Sequence, residues 1–348
     1  MSRLTLFLML LSFASLGQPY ALMYMETGTD ASFRGISVAD EHSIWVSGSK
    51  GWIGRSTDGG STWRYSRVKG YEQCDFRSVC AFDSLTAIIA NAGSPAYVLR
   101  TEDGGNTWRQ VYENEDSAAF IDGIGFWPAH GHRRGLIHGD PINGRMLLLR
   151  TTNGGKRWCA IEGPLMAEGE ASFAASGTSI NCYGRSTVVI ASGGRKANLY
   201  VSGCKGKCWR TVTTPMLSGE ASKGIYSFAA SREGQSWFIA GGDYRHDTIS
   251  TANFFYSTNK GKQWTAPNTT TRGYRECLAI ADNATDPKSG SATIVAVGPT
   301  GIDISYDHGH NWQALSNDKG FHVIKPSADG RYLYLAGANG KLAVMQVR

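Results

Sequence analysis

The feature that most constrains this chain is a short box that returns six times. Ser56-Thr57-Asp58-Gly59-Gly60-Ser61-Thr62-Trp63 recurs as Thr101-Glu102-Asp103-Gly104-Gly105-Asn106-Thr107-Trp108, and in looser form at 151–158, 202–209, 257–264 and 305–312. The common frame is Ser/Thr-x-Asp/Asn-x-Gly-x-x-Trp, with Cys204 in the Asp slot of the fourth copy. A box that returns about every fifty residues marks a repeat architecture. Within a copy, the Asp or Asn oxygen can accept from backbone N–H groups of a tight turn, and Gly supplies a backbone angle that other residues resist. The Trp has the area to seal one repeat against the next. An apolar run precedes most of the boxes (97–99, 146–149, 198–201, 254–256), so each box reads as a hairpin between two strands.

A second repeat lies between the boxes. Short β-rich runs with small residues occur at 33–38, 76–81, 121–126, 171–174, 225–229, 274–279 and 321–324, one more than the boxes. Each is followed by a strand-like run ending in Gly: 43–48, 86–93, 135–139, 187–193, 236–241, 292–298 and 332–337. Two strands before the box and two flanking it make a four-stranded unit, and helix-period patterning is absent after the first residues. The fold class is therefore all-β: a seven-bladed β-propeller of four-stranded antiparallel blades, in a single domain spanning 18–348. The last unit has three strands and no box. The run at 21–26 is the expected fourth strand, so that the N-terminal strand closes the ring in the last blade and removes open edges.

The first seventeen residues read as a secretory signal: Arg3, the apolar run Leu4 to Leu16, then small residues at Ser15 and Gly17. No integral membrane segment follows, so the expected localisation is secreted or periplasmic. Lys plus Arg exceed Asp plus Glu by 35 to 29, a mild net charge of +6 that does not imply nucleic acid as a partner. Asn268-Thr269-Thr270 and Asn283-Ala284-Thr285 are glycosylation sequons in a eukaryotic host. Among seven cysteines, Cys204 and Cys208 occupy facing positions of the fourth box. They are the candidate disulfide pair, in place of the polar staple of the other boxes. The other five could hold at most two more bridges.

No dinucleotide fingerprint, Walker motif or Cys-x-x-Cys is present, and no cofactor is expected. His130-Gly131-His132 with His138 and Asp140, and His308-x-His310, read as loop or turn histidines rather than metal ligands, so no metal is expected either. In a propeller, the start of each inner strand points at one mouth of the central channel. The equivalent positions are Arg34, Arg77, Asp122, Glu170-Ala171, Tyr226, Arg275 and His322, with Tyr274, Glu276, Asp243 and Tyr244 close in sequence. The candidate ligand site is thus Arg34, Arg77, Asp122, Glu170, Tyr226, Asp243, Tyr274, Arg275 and His322. Three arginines converging there would suit an anionic group, because guanidinium is a rigid charged fork.

The boxes resemble the Asp-box, or bacterial-neuraminidase, repeat of sialidase-like propellers. That resemblance implies the fold and leaves activity open, since function resides in a site rather than a fold. Phe33-Arg34-Gly35-Ile36 is similar to the Phe/Tyr-Arg-Ile-Pro motif of sialidases but lacks the Ile-Pro, and no spacing singles out a nucleophile among Tyr226 and Tyr274. A closer resemblance covers the whole mature chain. Residues 33–38, 45–51 and 305–312, with 169–180, 241–244 and 297–299, are similar to the photosystem II stability/assembly-factor-like propellers. These imply a non-enzymatic, chaperone-like binder. The first expectation is an exported, non-enzymatic propeller that binds a protein or glycan partner through an Arg-rich mouth. The alternative is a glycoside hydrolase, sialidase-like or using two carboxylates, at the same mouth.

Overall fold

Strand two of the first blade, Ile44–Gly48, shows why these sequences read as unbroken apolar runs. Its side chains alternate between two faces, and both faces are buried. Ile44 and Val46 pack with Leu333 and Leu335 of the last blade. Trp45, between them, packs with Phe76, Ile89 and Leu99 of the second blade. The next blade repeats the pattern, with Ile89 on one face and Ile88 and Ala90 on the other. The core is therefore a series of layers between neighbouring blades. Burying such residues on both faces is worth roughly 1.5–3 kcal/mol for each large side chain.

In the computed structural model the described residues are 21–281 and 292–346. The expected signal at 1–17 and the sequon at Asn283 lie outside them. Seven antiparallel sheets are arranged as a propeller. The first blade runs Phe33–Val38, Ile44–Gly48, Trp52–Ser56, Arg64–Arg67 from the channel outward, and the second and third follow the same order. In the last blade Leu22–Tyr24 is the outermost strand, paired antiparallel to Leu342–Gln346 through Leu22↔Met345 and Tyr24↔Ala343. The ring is closed by this pairing of the two ends. A 3-10 turn at Pro128–His130 is the one helical element among the described residues. None of the described helices is long and apolar enough to cross a membrane.

The boxes are built as hydrogen-bonded staples. In the first, Ser56 Oγ donates to Asp58 Oδ1 at 2.8 Å, and Asp58 accepts from the Thr62 amide at 2.8 Å and the Thr62 hydroxyl at 2.6 Å. The second repeats it around Asp103. In the fourth, Cys204 and Cys208 are joined by a disulfide, while Cys74, Cys80, Cys159, Cys182 and Cys277 are free thiols. The glycine two residues after the Asp or Asn slot of each box sits where the box meets a neighbouring layer. A Cβ at Gly105 would lie 3.0 Å from Ile53 of the first blade, and one at Gly155 would lie 2.1 Å from Ile88 of the second. Close approach, as much as the left-handed backbone angle, requires glycine there.

Two units differ from the sequence expectation. The inner strand of the fourth blade is Ile180–Tyr183, not the run at 171–174. Glu170–Ala171 pairs instead with Gly193–Gly194, which bridges to the inner strand Lys223–Ala230 of the fifth blade. The run at 171–174 has small and aromatic residues in alternation, as inner strands do, but Ile180–Tyr183 is the segment close enough to its partner Thr187–Ala191 to form a hairpin. The fifth blade's outermost strand is reduced to one bridge, Tyr256 to Thr265.

Candidate functional site

Residues 172–178, displaced from the inner-strand role, cross the channel mouth. Their partners come from several blades. Arg34 of the first blade donates to the Ala175 carbonyl at 3.1 Å, and Arg77 of the second points to the Ala174 carbonyl at 3.4 Å. Ser176 Oγ donates to the Glu276 carbonyl of the sixth blade at 3.0 Å, and the Thr178 hydroxyl bonds to Ser227 of the fifth at 2.8 Å. The Ser172 amide donates to Asp140 of the third at 3.1 Å. Phe173 stacks on Tyr226 with ring centroids 3.9 Å apart, and Tyr274 meets the edge of Tyr226 at 4.6 Å.

Above this segment lies a cavity of about 420 Å³, lined by Arg34, Arg77, Asp122, Phe173, Tyr226, Tyr244, Tyr274 and Glu276. Arg34 is ion-paired to Glu276 at 2.8 Å, and Glu276 also holds His322 Nδ1 at 2.9 Å. Arg77 is paired to Asp75 at 2.7 Å. Both arginines at the mouth are therefore neutralised by a carboxylate. Asp122 has no exposed surface, and neither of its carboxylate oxygens has a hydrogen-bond partner among the described residues. Burial, and then the neighbouring Asp140, push its pKa well up, with Arg77 pulling weakly the other way. Asp122 is thus a buried carboxyl in the cavity lining whose surroundings favour the protonated form.

Three of the sequence candidates lie elsewhere. Arg275 is fully buried and ion-paired to Asp303, with Thr300 accepting from its Nη1 at 2.7 Å. The expectation of three converging arginines is thereby corrected to two: the Arg275 side chain runs between the sixth blade's own strands. Glu170 is also internal, its carboxylate receiving the Tyr200 hydroxyl at 2.8 Å, the Asn198 amide at 3.0 Å and the Ala167 backbone N–H at 2.9 Å. Asp243 is buried; burial would raise its pKa, but hydrogen bonds from His246 and the Arg245 amide help to outweigh this and hold it at about 2. His138, grouped with the loop histidines, is likewise buried in a strand, where burial lowers its pKa to about 3. Among the described residues no group of three or more His, Cys, Asp or Glu is arranged to hold a metal ion.

The residues missed from sequence were those of the crossing segment, above all Phe173, Ala174 and Ala175. The signal was the long separation between 171–174 and the strand at 187, with a better-spaced run, Ile180–Tyr183, lying between them. Chemically, the mouth grips main-chain carbonyls with guanidinium groups and offers an aromatic shelf. The Tyr274 and Tyr226 phenols are both pushed well up, chiefly by burial, and Tyr226 Oη donates to the Ser222 carbonyl at 2.8 Å. A nucleophilic phenol needs the opposite shift.

Residues 18–119, through the second blade, match the family model described as photosynthesis system II assembly factor YCF48. No curated protein matches the chain. Among solved structures, "YCF48 bound to D1 peptide" superposes with a TM-score of 0.65 at 18% identity, covering 95% of this chain and 97% of that one. YCF48 from Cyanidioschyzon merolae gives 0.61 at 15% identity, covering 94% and 99%. The Pan2 WD40 domain of Neurospora crassa gives 0.62 at 13% identity, covering 91% and 89%. At these identities the superpositions speak for the fold, which unrelated propellers share. The chain is a seven-bladed β-propeller, similar to the photosystem II assembly factor YCF48 in sequence at its N-terminal end and in shape over nearly its whole length.

Proposed function

We propose that this propeller is a non-enzymatic binder that receives an extended segment of a partner protein at the mouth bearing Arg34 and Arg77. One observation carries the reading: the mouth already holds a non-strand stretch of its own chain by two successive backbone carbonyls, those of Ala174 and Ala175. Groups that recognise main-chain carbonyls, with an aromatic shelf for one side chain, suit a peptide better than a sugar ring. The peptide seen with the structurally similar YCF48 is in keeping with this. The paired arginines make a strongly anionic partner unnecessary. Export is part of the same reading: residues 1–17 have the pattern of a signal, and the Cys204–Cys208 bond suits an oxidising compartment.

The test is selection of a random displayed-peptide library on the purified protein and on an Arg34→Ala/Arg77→Ala variant, beside a panel of fluorogenic glycosides that includes a sialoside. Peptides enriched on the parent and lost on the variant are expected, with no glycoside turnover. Turnover by the parent that disappears in the variant would establish a glycoside hydrolase and overturn the binder.

A further inference from the structure

The net charge of this protein is not spread over its surface. Residues 171–219 contain Arg185, Arg195, Lys196, Lys205, Lys207 and Arg210 and no Asp or Glu. Outside that segment, the remaining 29 Lys and Arg are matched by 29 Asp and Glu. The entire excess of +6 thus belongs to the fourth repeat and the crossing segment before it.

The residue before the box faces the next blade, and in the first three blades it is arginine. Arg55 donates to the Ser84 carbonyl of the second blade at 2.7 Å and lies over Trp45. Arg100 donates to the Gly154 carbonyl of the third blade at 3.0 Å and is ion-paired to Glu102. Arg150, the third of the series, is half-buried, yet its guanidinium has no hydrogen-bond or ion-pair partner among the described residues. Two substitutions explain this. Thr152 stands where Glu102 stands in the second box, and Lys205 stands where Gly104 and Gly154 stand in the boxes before it. The Arg150 guanidinium therefore lacks the acidic partner that Arg100 has, and it lines a groove together with Lys205.

Around Arg150 is a groove of about 420 Å³ between the third and fourth blades, with Trp127 as an apolar wall and Arg134, Lys205, Lys207 and Ser186 at the sides. No acidic residue lines it. Cys204 is part of the wall. The corresponding residue in the first two boxes is an ionised Asp, which the fourth box replaces by a neutral disulfide. The staple is kept while its negative charge is removed from a cationic wall.

We propose that this groove is an oxyanion site that takes a phosphate or sulfate group, held by the Arg150 and Arg134 guanidiniums with Lys205 and Lys207. A guanidinium fork matches such a group in two parallel hydrogen bonds, and four cations without a carboxylate have no internal means of neutralisation. The site is separate from the channel mouth and does not depend on what binds there.

The test uses the full mature protein at low ionic strength, where such contacts are least screened. Inorganic pyrophosphate and inorganic sulfate are titrated by calorimetry, and binding to phosphatidylcholine vesicles is compared with and without phosphatidylglycerol. Binding of the free anions assigns a soluble ester, and binding only to the anionic vesicles assigns a lipid headgroup. In either case Arg150→Gln should weaken it about tenfold or more, the size of one charge-assisted hydrogen bond. Cys204→Asp/Cys208→Thr, which restores the carboxylate staple of the first two boxes, should weaken it while the protein remains folded by circular dichroism. Arg34→Ala at the mouth should leave it unchanged. Failure to bind pyrophosphate, sulfate and the anionic vesicles alike, or equal affinity in the parent and both groove variants, would overturn the site.

Discussion

Asp122 is the residue whose environment departs most from what its side chain prefers. Its carboxyl is fully buried with both oxygens unpartnered among the described residues, beside Asp140, whose own pKa burial also raises. A raised native pKa means that the folded state holds the proton more tightly than the unfolded chain does. The folded state is thus favoured most at low pH and loses that advantage as pH rises from the unfolded value of 3.8 toward the native one. Asp122→Asn cannot ionise. Its melting temperature should exceed the parent's by a margin that widens as the pH is raised above the unfolded value of 3.8. Parallel melting curves across that range would show that the Asp122 carboxylate is solvated after all. Arg275 is the opposite case, a buried charge with a complete set of partners. Sequence could supply the residue types at both positions, but not which way either side chain turned.

At the scale of the element, the box is a staple and a spacer together. Its carboxylate ties two strands, as at Asp103, where hydrogen bonds from Thr107 come first among the causes that lower the pKa to about 2. The glycine two residues after its Asp or Asn slot lets one layer seat on another. Gly155 has φ +75° and no room for a methyl group, because Ile88 lies 2.1 Å from the Cβ position. Gly144, in a nearby turn, has φ +76° and open space around the same position. Gly144→Ala should therefore cost only the backbone term, about 1 kcal/mol, whereas Gly155→Ala adds overpacking and should cost roughly 2–4 kcal/mol in urea unfolding. Equal losses would mean that the box glycine is needed for its backbone angle alone. The boxes were legible in the sequence because their residues act on near neighbours in the chain. The crossing segment 172–178 was not, because most of its holding contacts come from other blades, through Arg34, Arg77, Asp140, Ser227 and Glu276.

For the whole molecule, closure is the governing event. Leu22–Tyr24 completes the last blade, Met25 donates its amide to Leu342 at 2.9 Å, and the Trp63 indole of the first blade approaches the Met25 sulfur. Without the first 26 residues the strand Leu342–Gln346 would be an unpaired edge. A chain beginning at Thr27 should melt at a lower temperature and self-associate in size-exclusion chromatography, each molecule offering its open edge to another. A monomer with unchanged melting would mean that the N-terminal strand is dispensable to the ring.

The sequence by itself determined the number of blades, the position of every box and the way the ring closes. These follow from short apolar strand runs and from turn residues that act within a few positions of one another, so each repeat carries its own instructions. Tertiary structure alone decided which polar residues meet. It turned Arg275 into an internal tie to Asp303, drew 172–178 across the mouth to be gripped by Arg34 and Arg77, and left Arg150 unpaired beside Lys205. The physical reason is that a charged side chain takes its state from partners brought to it around the ring, and those distances are written in no single repeat.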